Sequence, residues 1–131
     1  MYYTEADLLI LSRIITAETQ GEPLDAQKAM AHLILNRVRA NKRKFGGNTI
    51  KGVCEKIGGG PDLDDKDFEE ILNWLPDVLN GISEDMTNGC EYYNNPWKNN
   101  VFDTFNLEAV VDIGHLRFYK SRSRESKCFC S

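Results

Sequence analysis

The stretch Leu8-Leu9-Ile10-Leu11-Ser12-Arg13-Ile14-Ile15-Thr16-Ala17-Glu18-Thr19-Gln20-Gly21-Glu22-Pro23 decides how the rest of the chain is read. Its apolar residues cover so much of a helical wheel that a helix here is expected to be buried nearly all round. Thr4, followed three residues later by Asp7, resembles a capping box with Asp where Glu or Gln is usual, and marks the start. Gly21 and Pro23 mark the stop, with Gly21 placed for a left-handed cap. One side chain conflicts with the pattern. Glu18 continues the row Leu8, Leu11, Ile15, so it shares a face that should pack inward. A lone buried charge is costly, and free carbonyls in a last helical turn disfavour negative charge by about 0.3–1 kcal/mol. Both effects push a carboxyl toward its neutral form, and a carboxylic acid that keeps its proton is what a general acid for glycoside cleavage requires. The plainer readings are that Glu18 pairs with a neighbouring Arg or Lys or caps a following amide. For Glu22, just past the helix, the plainer reading is a solvated loop acid.

Outward from this helix, Asp25 is expected to cap a second one that carries Ala26, Ala29, Met30, Leu33, Ile34 and Val38 at helical spacing. Its end holds Arg37 and Arg39, with Lys42 beyond, which suits a helix C-terminus. Phe45 to Asn48 reads as loop, Thr49 to Ile57 as a short helix, and Gly58-Gly59-Gly60-Pro61 as a break. Phe68, Ile71, Leu72, Leu75, Val78 and Leu79 outline another helix, kinked or split at Pro76. Asn80-Gly81 and Asn88-Gly89 read as turns. Tyr92-Tyr93 and Ala109 to Tyr119 are the strand-like pieces. The expected fold is α+β and mostly helical: a single lysozyme-like domain with a small β element near its C-terminus.

Composition narrows the class. At 131 residues, 41% hydrophobic and 27% charged, the chain suits one globular domain. No apolar run approaches the roughly 18 residues of a membrane span. The opening residues Met1 to Asp7 show no basic n-region and no small-residue cleavage site, so no Sec-type signal peptide is expected. The protein then works where it is made, or something else carries it out of the cytoplasm. Net charge is −4, spread over a basic block from Arg37 to Lys44, an acidic run from Asp62 to Glu70, and a basic stretch from Arg117 to Lys127. Each is read as a solvated face, and an acidic chain with such short blocks is not expected to bind nucleic acid. Cys54, Cys90, Cys128 and Cys130 form no CxxC pair. They are read as reduced structural thiols, with no metal site and no cofactor expected.

The string Leu11 to Pro23 resembles the opening motif of the SleB/CwlJ-type cell-wall hydrolases, the spore-cortex-lytic family, where a helix ends in Ala-Glu-Ala-x-Gly-Glu-Pro. The family's following Gln and small-residue helix ending in Leu-Asn-Arg-Val is similar to Gln27, Ala29, Ala31 and Leu35-Asn36-Arg37-Val38. Ile50-Lys51-Gly52-Val53 resembles its Thr-x-x-x-Val-Ile segment. Val78-Leu79-Asn80-Gly81 and Asp85-Met86-Thr87-Asn88-Gly89-Cys90 resemble its Gly and Asp-Pro-Thr-x-Gly-Ala passage. Tyr92-Tyr93-Asn94-Asn95-Pro96 resembles its Phe/Tyr-Tyr-Asn-Pro, and Ile113-Gly114-His115-Leu116-Arg117-Phe118-Tyr119 its Ile-Gly-x-His-x-Phe-Tyr. The matches run in order from about residue 8 to residue 119. Two departures stand out. The family's Gly-x-Phe-Ser segment has no counterpart, and its histidine position holds Leu116, with His115 one residue earlier. In a strand that shift turns a side chain to the opposite face.

The resemblance implies a catalytic domain over residues 1–120, a basic Cys-containing tail over 121–131, and cleavage of the β-1,4 bond between N-acetylmuramic acid and N-acetylglucosamine in peptidoglycan. One carboxyl suffices for a lytic transglycosylase, with Glu18 protonating the leaving oxygen and then taking the proton of the muramyl C6 hydroxyl to close a 1,6-anhydro ring. Hydrolysis would need a second carboxylate, for which Glu22 is the one nearby candidate. Glu22, Asn36, Tyr92, Tyr93, Asn94 and Tyr119 are candidates for the glycan-binding walls, with Trp97 a further aromatic and Asn36 a residue that either orients Glu18 or bonds across a helix–strand junction. Rival readings are a non-catalytic peptidoglycan-binding or phage- or secretion-associated module, an exported antibacterial muramidase with an immunity or secretion partner, and a metal-dependent amidase. The last is weakest, since the chain has two histidines and no HExxH.

Overall fold

Helix α1, Glu5–Glu18, begins where Thr4 and Asp7 close a reciprocal capping box, Thr4 Oγ1 accepting the Asp7 N–H and Asp7 Oδ2 accepting the Thr4 N–H. The computed structural model describes residues 2–58, 60–98 and 103–122. In α1, Leu11, Ser12, Ile14 and Ile15 are buried. Leu9 is 36% exposed, so the helix keeps one side toward solvent instead of being enclosed all round. Helix α2, Leu24–Ala40, is the axis of the core: Ala26, Ala29, Met30, Ala31, His32, Leu33, Ile34, Leu35 and Val38 are all buried. It packs against α1 and against three later segments, Ile50–Ile57, Leu75–Leu79 and Leu107–Ile113. It starts one residue before the expected cap. Pro23 occupies the N-cap without a side-chain bond, and Asp25 lies in the first turn, where its charge favours the helix dipole.

Of the loop expected from Phe45 to Asn48, only Phe45 differs: it ends a single 3₁₀ turn, Arg43–Phe45, with its side chain buried. Helix α3, Ile50–Ile57, starts on Thr49 as expected, with Thr49 Oγ1 accepting the Gly52 N–H at 3.0 Å. The acidic run is more than a solvated face. Asp64 Oδ1 caps α4, Asp65–Leu72, by accepting the Asp67 N–H at 2.8 Å. The chain splits before Pro76, not at it. Helix α5, Leu75–Leu79, carries the proline at its start, where a missing N–H costs no helical bond.

Three antiparallel strands complete the fold: β1, Tyr92–Asn94; β2, Leu107–Ile113; and β3, Leu116–Ser121, in the order β1-β3-β2. The piece expected as one strand from Ala109 to Tyr119 is a hairpin. Ile113 pairs with Leu116 across Gly114-His115, and Gly114, at φ 62°, takes the first turn position that a type II′ hairpin reserves for glycine. A bulge between Ala109 and Val111 shifts the register and leaves Val110 39% exposed. Phe118 and Tyr119 of β3 are buried, and Phe118 belongs to the core cluster formed by α1 to α5. The architecture is α+β and mostly helical. Cys54 and Cys90 are free and buried, and burial pushes their thiols up to about 12 and about 11. Cys128, Cys130 and the tail from Ser123 onward lie outside the described residues. No helix of the described residues is long and apolar enough to cross a membrane.

Candidate active site

Glu18 is the last residue of α1. Below it, Thr19 is buried and donates its hydroxyl to Ile15 O at 2.5 Å, which seals the final turn. Gly21, at φ 80°, then turns the backbone away, and the Glu22 N–H closes onto Thr19 O at 2.9 Å. The carboxyl of Glu18 is thereby delivered, half-buried, into a cleft of about 410 Å³ between the end of α1 and strand β1. Ala17, Ile57 and Leu116 supply its apolar lining; Arg37, Tyr93, Asn94, Asn95 and Lys98 supply the polar one. Among the described residues, Glu18 is the one carboxylate that lines it.

The Tyr93 hydroxyl donates a short hydrogen bond to Glu18 Oε1. Burial holds that phenol well above its ordinary range, the bond and the charge of Glu18 push it further, and Arg37 opposes both. Tyr93 is therefore a donor that stays protonated across the working pH of proteins. Arg37 comes from α2 and lies 4.5 Å from the Phe45 ring centroid and 5.8 Å from that of Tyr93, with its Nε donating to Glu91 O at 2.8 Å. Burial lowers its pKa, while Tyr93, Tyr92, Glu91 and Glu18 act in the other direction. An arginine stays charged under such opposing effects, so the cleft holds a fixed cation beside its acid.

Of the residues singled out from sequence, Glu18, Tyr93 and Asn94 meet in this cleft. Tyr119 supports it from behind, donating its hydroxyl to Asn94 Oδ1 at 2.8 Å. Tyr92 faces elsewhere: its ring packs edge-on against Phe45 and its hydroxyl accepts from Lys44 Nζ at 2.6 Å. Asn36 bonds across the junction between α2 and the loop before β1, its amide donating to Asp85 Oδ2 at 2.9 Å and Cys90 O at 3.0 Å. Glu22 is no solvated acid. Its carboxylate accepts the His115 N–H at 2.7 Å and faces His115 Nδ1 at 3.2 Å, outside the cleft. His115 sits at the hairpin tip, while Leu116 is the residue of that pair that reaches the cleft. Trp97, 75% exposed, precedes the cleft-lining Lys98.

Sequence reasoning missed Arg37, Asn95 and Lys98. Arg37 was hidden in a basic block read as solvated, although its position between buried Leu35 and Val38 on α2 was a usable signal. Lys98 carried none. Among the described residues, no group of three or more His, Cys, Asp or Glu side chains is arranged to hold a metal ion.

A family model described as Cell Wall Hydrolase matches residues 21–119, beginning three residues after Glu18. The spore cortex-lytic enzyme of Halalkalibacterium halodurans is 30% identical over 98 residues, 72% of this chain and 28% of that protein. The chain thus spans just over a quarter of the length of that curated relative. The catalytic domain of the germination-specific lytic transglycosylase SleB from Bacillus anthracis superposes with a TM-score of 0.68 at 26% identity, covering 90% of this chain and 97% of that one. The catalytic domain of the Bacillus cereus SleB protein gives 0.67 at 26% identity, covering 91% and 93%.

Proposed function

The chain belongs to the cell wall hydrolase family, and on that premise we propose that it is a peptidoglycan lytic transglycosylase whose one catalytic carboxyl is Glu18. The bond cleaved is the β-1,4 link from N-acetylmuramic acid to N-acetylglucosamine, and the products end in 1,6-anhydro-muramyl units. Glu18 protonates the glycosidic oxygen as positive charge develops on the muramyl ring. As carboxylate it then receives the proton of the C6 hydroxyl, which attacks the anomeric carbon and closes the anhydro ring.

What supports one carboxyl rather than two is that, among the described residues, Glu18 is the one carboxylate lining the cleft. An inverting hydrolase needs a second carboxylate about 6.5–9.5 Å away and a retaining one a partner at about 5–5.5 Å. The nearest acid in sequence, Glu22, has both oxygens engaged by His115 outside the cleft. Tyr93 holds the Glu18 carboxyl in one orientation, and Arg37 offsets the charge that remains when the proton has left. Asn94, Asn95 and Lys98 offer donors to sugar hydroxyls and acetamido groups, and Trp97 an apolar face for a sugar ring. The enzyme acts on the wall itself, from whichever side delivery brings it.

Mass spectrometry of digested sacculi tests this directly. Anhydro-muropeptides from the wild-type chain, and none from Glu18→Gln, are expected. Reducing-end products would replace transglycosylation with hydrolysis, and adsorption without release would leave a binding module.

A further inference from the structure

Glu22 is a buried acid that serves an exposed turn. Its side chain is 8% exposed, whereas that of its partner His115 is 66% exposed. The two residues come from the α1–α2 connection and the β2–β3 hairpin tip, 93 positions apart. The tip is seated directly on the carboxylate. A Cβ added at Gly114 would collide with Glu22 Oε1 and lie 2.8 Å from Pro23 Cδ. Each end of this contact leads into the cleft. Four residues before Glu22 stands Glu18; one residue after His115 stands Leu116, which lines the cleft and begins β3. Strand β3 pairs with β1 at Tyr93↔Phe118, and Tyr93 returns to Glu18 through its hydroxyl. The path from Glu18 through Glu22, His115, β3 and Tyr93 back to Glu18 is a closed ring of covalent and hydrogen-bonded links.

We propose that Glu22 is a positioning residue: its clasp on the His115 turn sets where the carboxyl of Glu18 stands relative to the sheet wall of the cleft. This rests on the transglycosylase reading for its kinetic consequence, but not for the clasp itself. The clasp works by hydrogen-bond geometry, not by charge. Gln at position 22 can still accept the His115 N–H through its oxygen and donate to Nδ1 through its nitrogen. Misplacing a reacting group by about 1 Å costs on the order of 10²-fold in rate, which sets the scale of the effect when the clasp is cut.

The experiment compares wild type, Glu22→Gln, Glu22→Ala and Gly114→Ala on soluble uncrosslinked glycan strands, with amide hydrogen exchange at His115 as a readout independent of turnover. Glu22→Gln is expected to stay within about threefold of wild type in kcat and to keep the His115 amide protected. Glu22→Ala is expected to lose roughly 30- to 100-fold in kcat at nearly unchanged KM, with that amide exposed. Gly114→Ala, which lifts the turn off an intact Glu22, should reproduce the loss and provides the test if Glu22→Ala does not fold. Wild-type kcat in Glu22→Ala or Gly114→Ala, or a Glu22→Gln loss as deep as that of Glu22→Ala, overturns the positioning role; the latter would make the charge of Glu22 the agent. No product from wild type would instead sink the transglycosylase reading, while His115 protection in wild type and Glu22→Gln alone would still report the clasp.

Discussion

Two side chains carry the chemistry proposed for the cleft, and both can be changed without altering shape. Glu18→Gln keeps an oxygen for the Tyr93 hydroxyl but cannot give up a proton to a leaving group. General acid–base action is worth about 10²–10⁴-fold, so turnover of sacculi is expected to fall by at least that much while the thermal unfolding midpoint stays close to wild type. Tyr93→Phe removes one hydrogen bond from a half-buried carboxyl. A loss of about tenfold in turnover, with a stability change of about 1 kcal/mol in urea titration, is the expected result. Unchanged turnover would take the hydroxyl out of the mechanism. Glu18 was legible from sequence because an acid on an inward-facing helical row conflicts with its neighbours. Arg37 was not legible, because a cation at a helix C-terminus has an ordinary explanation in the dipole, and only its stacking over Phe45 and Tyr93 sets it apart.

At the level of elements, the loop before β1 is held by one carboxylate. Asp85 accepts from the Asn36 amide, the Thr87 N–H and hydroxyl, and the Gly89 N–H, all within 2.7 to 2.9 Å. Burial alone would raise this carboxyl, but those donors outweigh it and hold it below the usual carboxylate range. A depressed folded value means that the stabilisation is complete above the unfolded value of about 3.9 and is lost as pH falls through that value toward the folded one. Urea midpoints measured from pH 6 down to pH 3 should therefore decline in the wild type and decline less steeply in Asp85→Asn. That variant should also be weaker at pH 6 by about 1–3 kcal/mol, because an amide cannot accept all four bonds. A parallel decline in both proteins would remove Asp85 as the source of acid sensitivity. The Asn88-Gly89 turn was readable beforehand, with Asn88 at φ 55° and Gly89 at φ 91°. The role of Asp85 was not readable, since its main partner lies on α2, 49 residues away.

Over the whole molecule, stability rests on α2. Leu33 is fully buried on that helix, and Leu33→Ala is expected to cost about 2–5 kcal/mol, read as a lowered urea midpoint at unchanged slope. A cost under 1 kcal/mol would mean that the core is not organised around this helix. The same helix carries Asn36 and Arg37 outward, to the loop that leads into β1 and to the cleft. Packing and site geometry are therefore coupled through one element, and a cavity at Leu33 is expected to lower kcat as well as stability.

By itself the sequence determined where the first three helices lie, the Thr4 and Thr49 caps and the acid at the end of the first helix, because period, cap chemistry and a misfit carboxyl are properties of neighbours within a turn or two. Thr4, Thr49 and Gly21 all act within four residues of themselves. Tertiary structure alone decided that the last apolar stretch folds back at Gly114-His115, that Glu22 is spent on that turn, and that Arg37, Tyr93 and Lys98 converge on Glu18. The seating of Glu22 and the convergence of Arg37 and Tyr93 depend on contacts across 54 to 93 residues. Over such separations, strand register and the seating of one turn on one carboxylate are selected by three-dimensional packing, which no local pattern encodes.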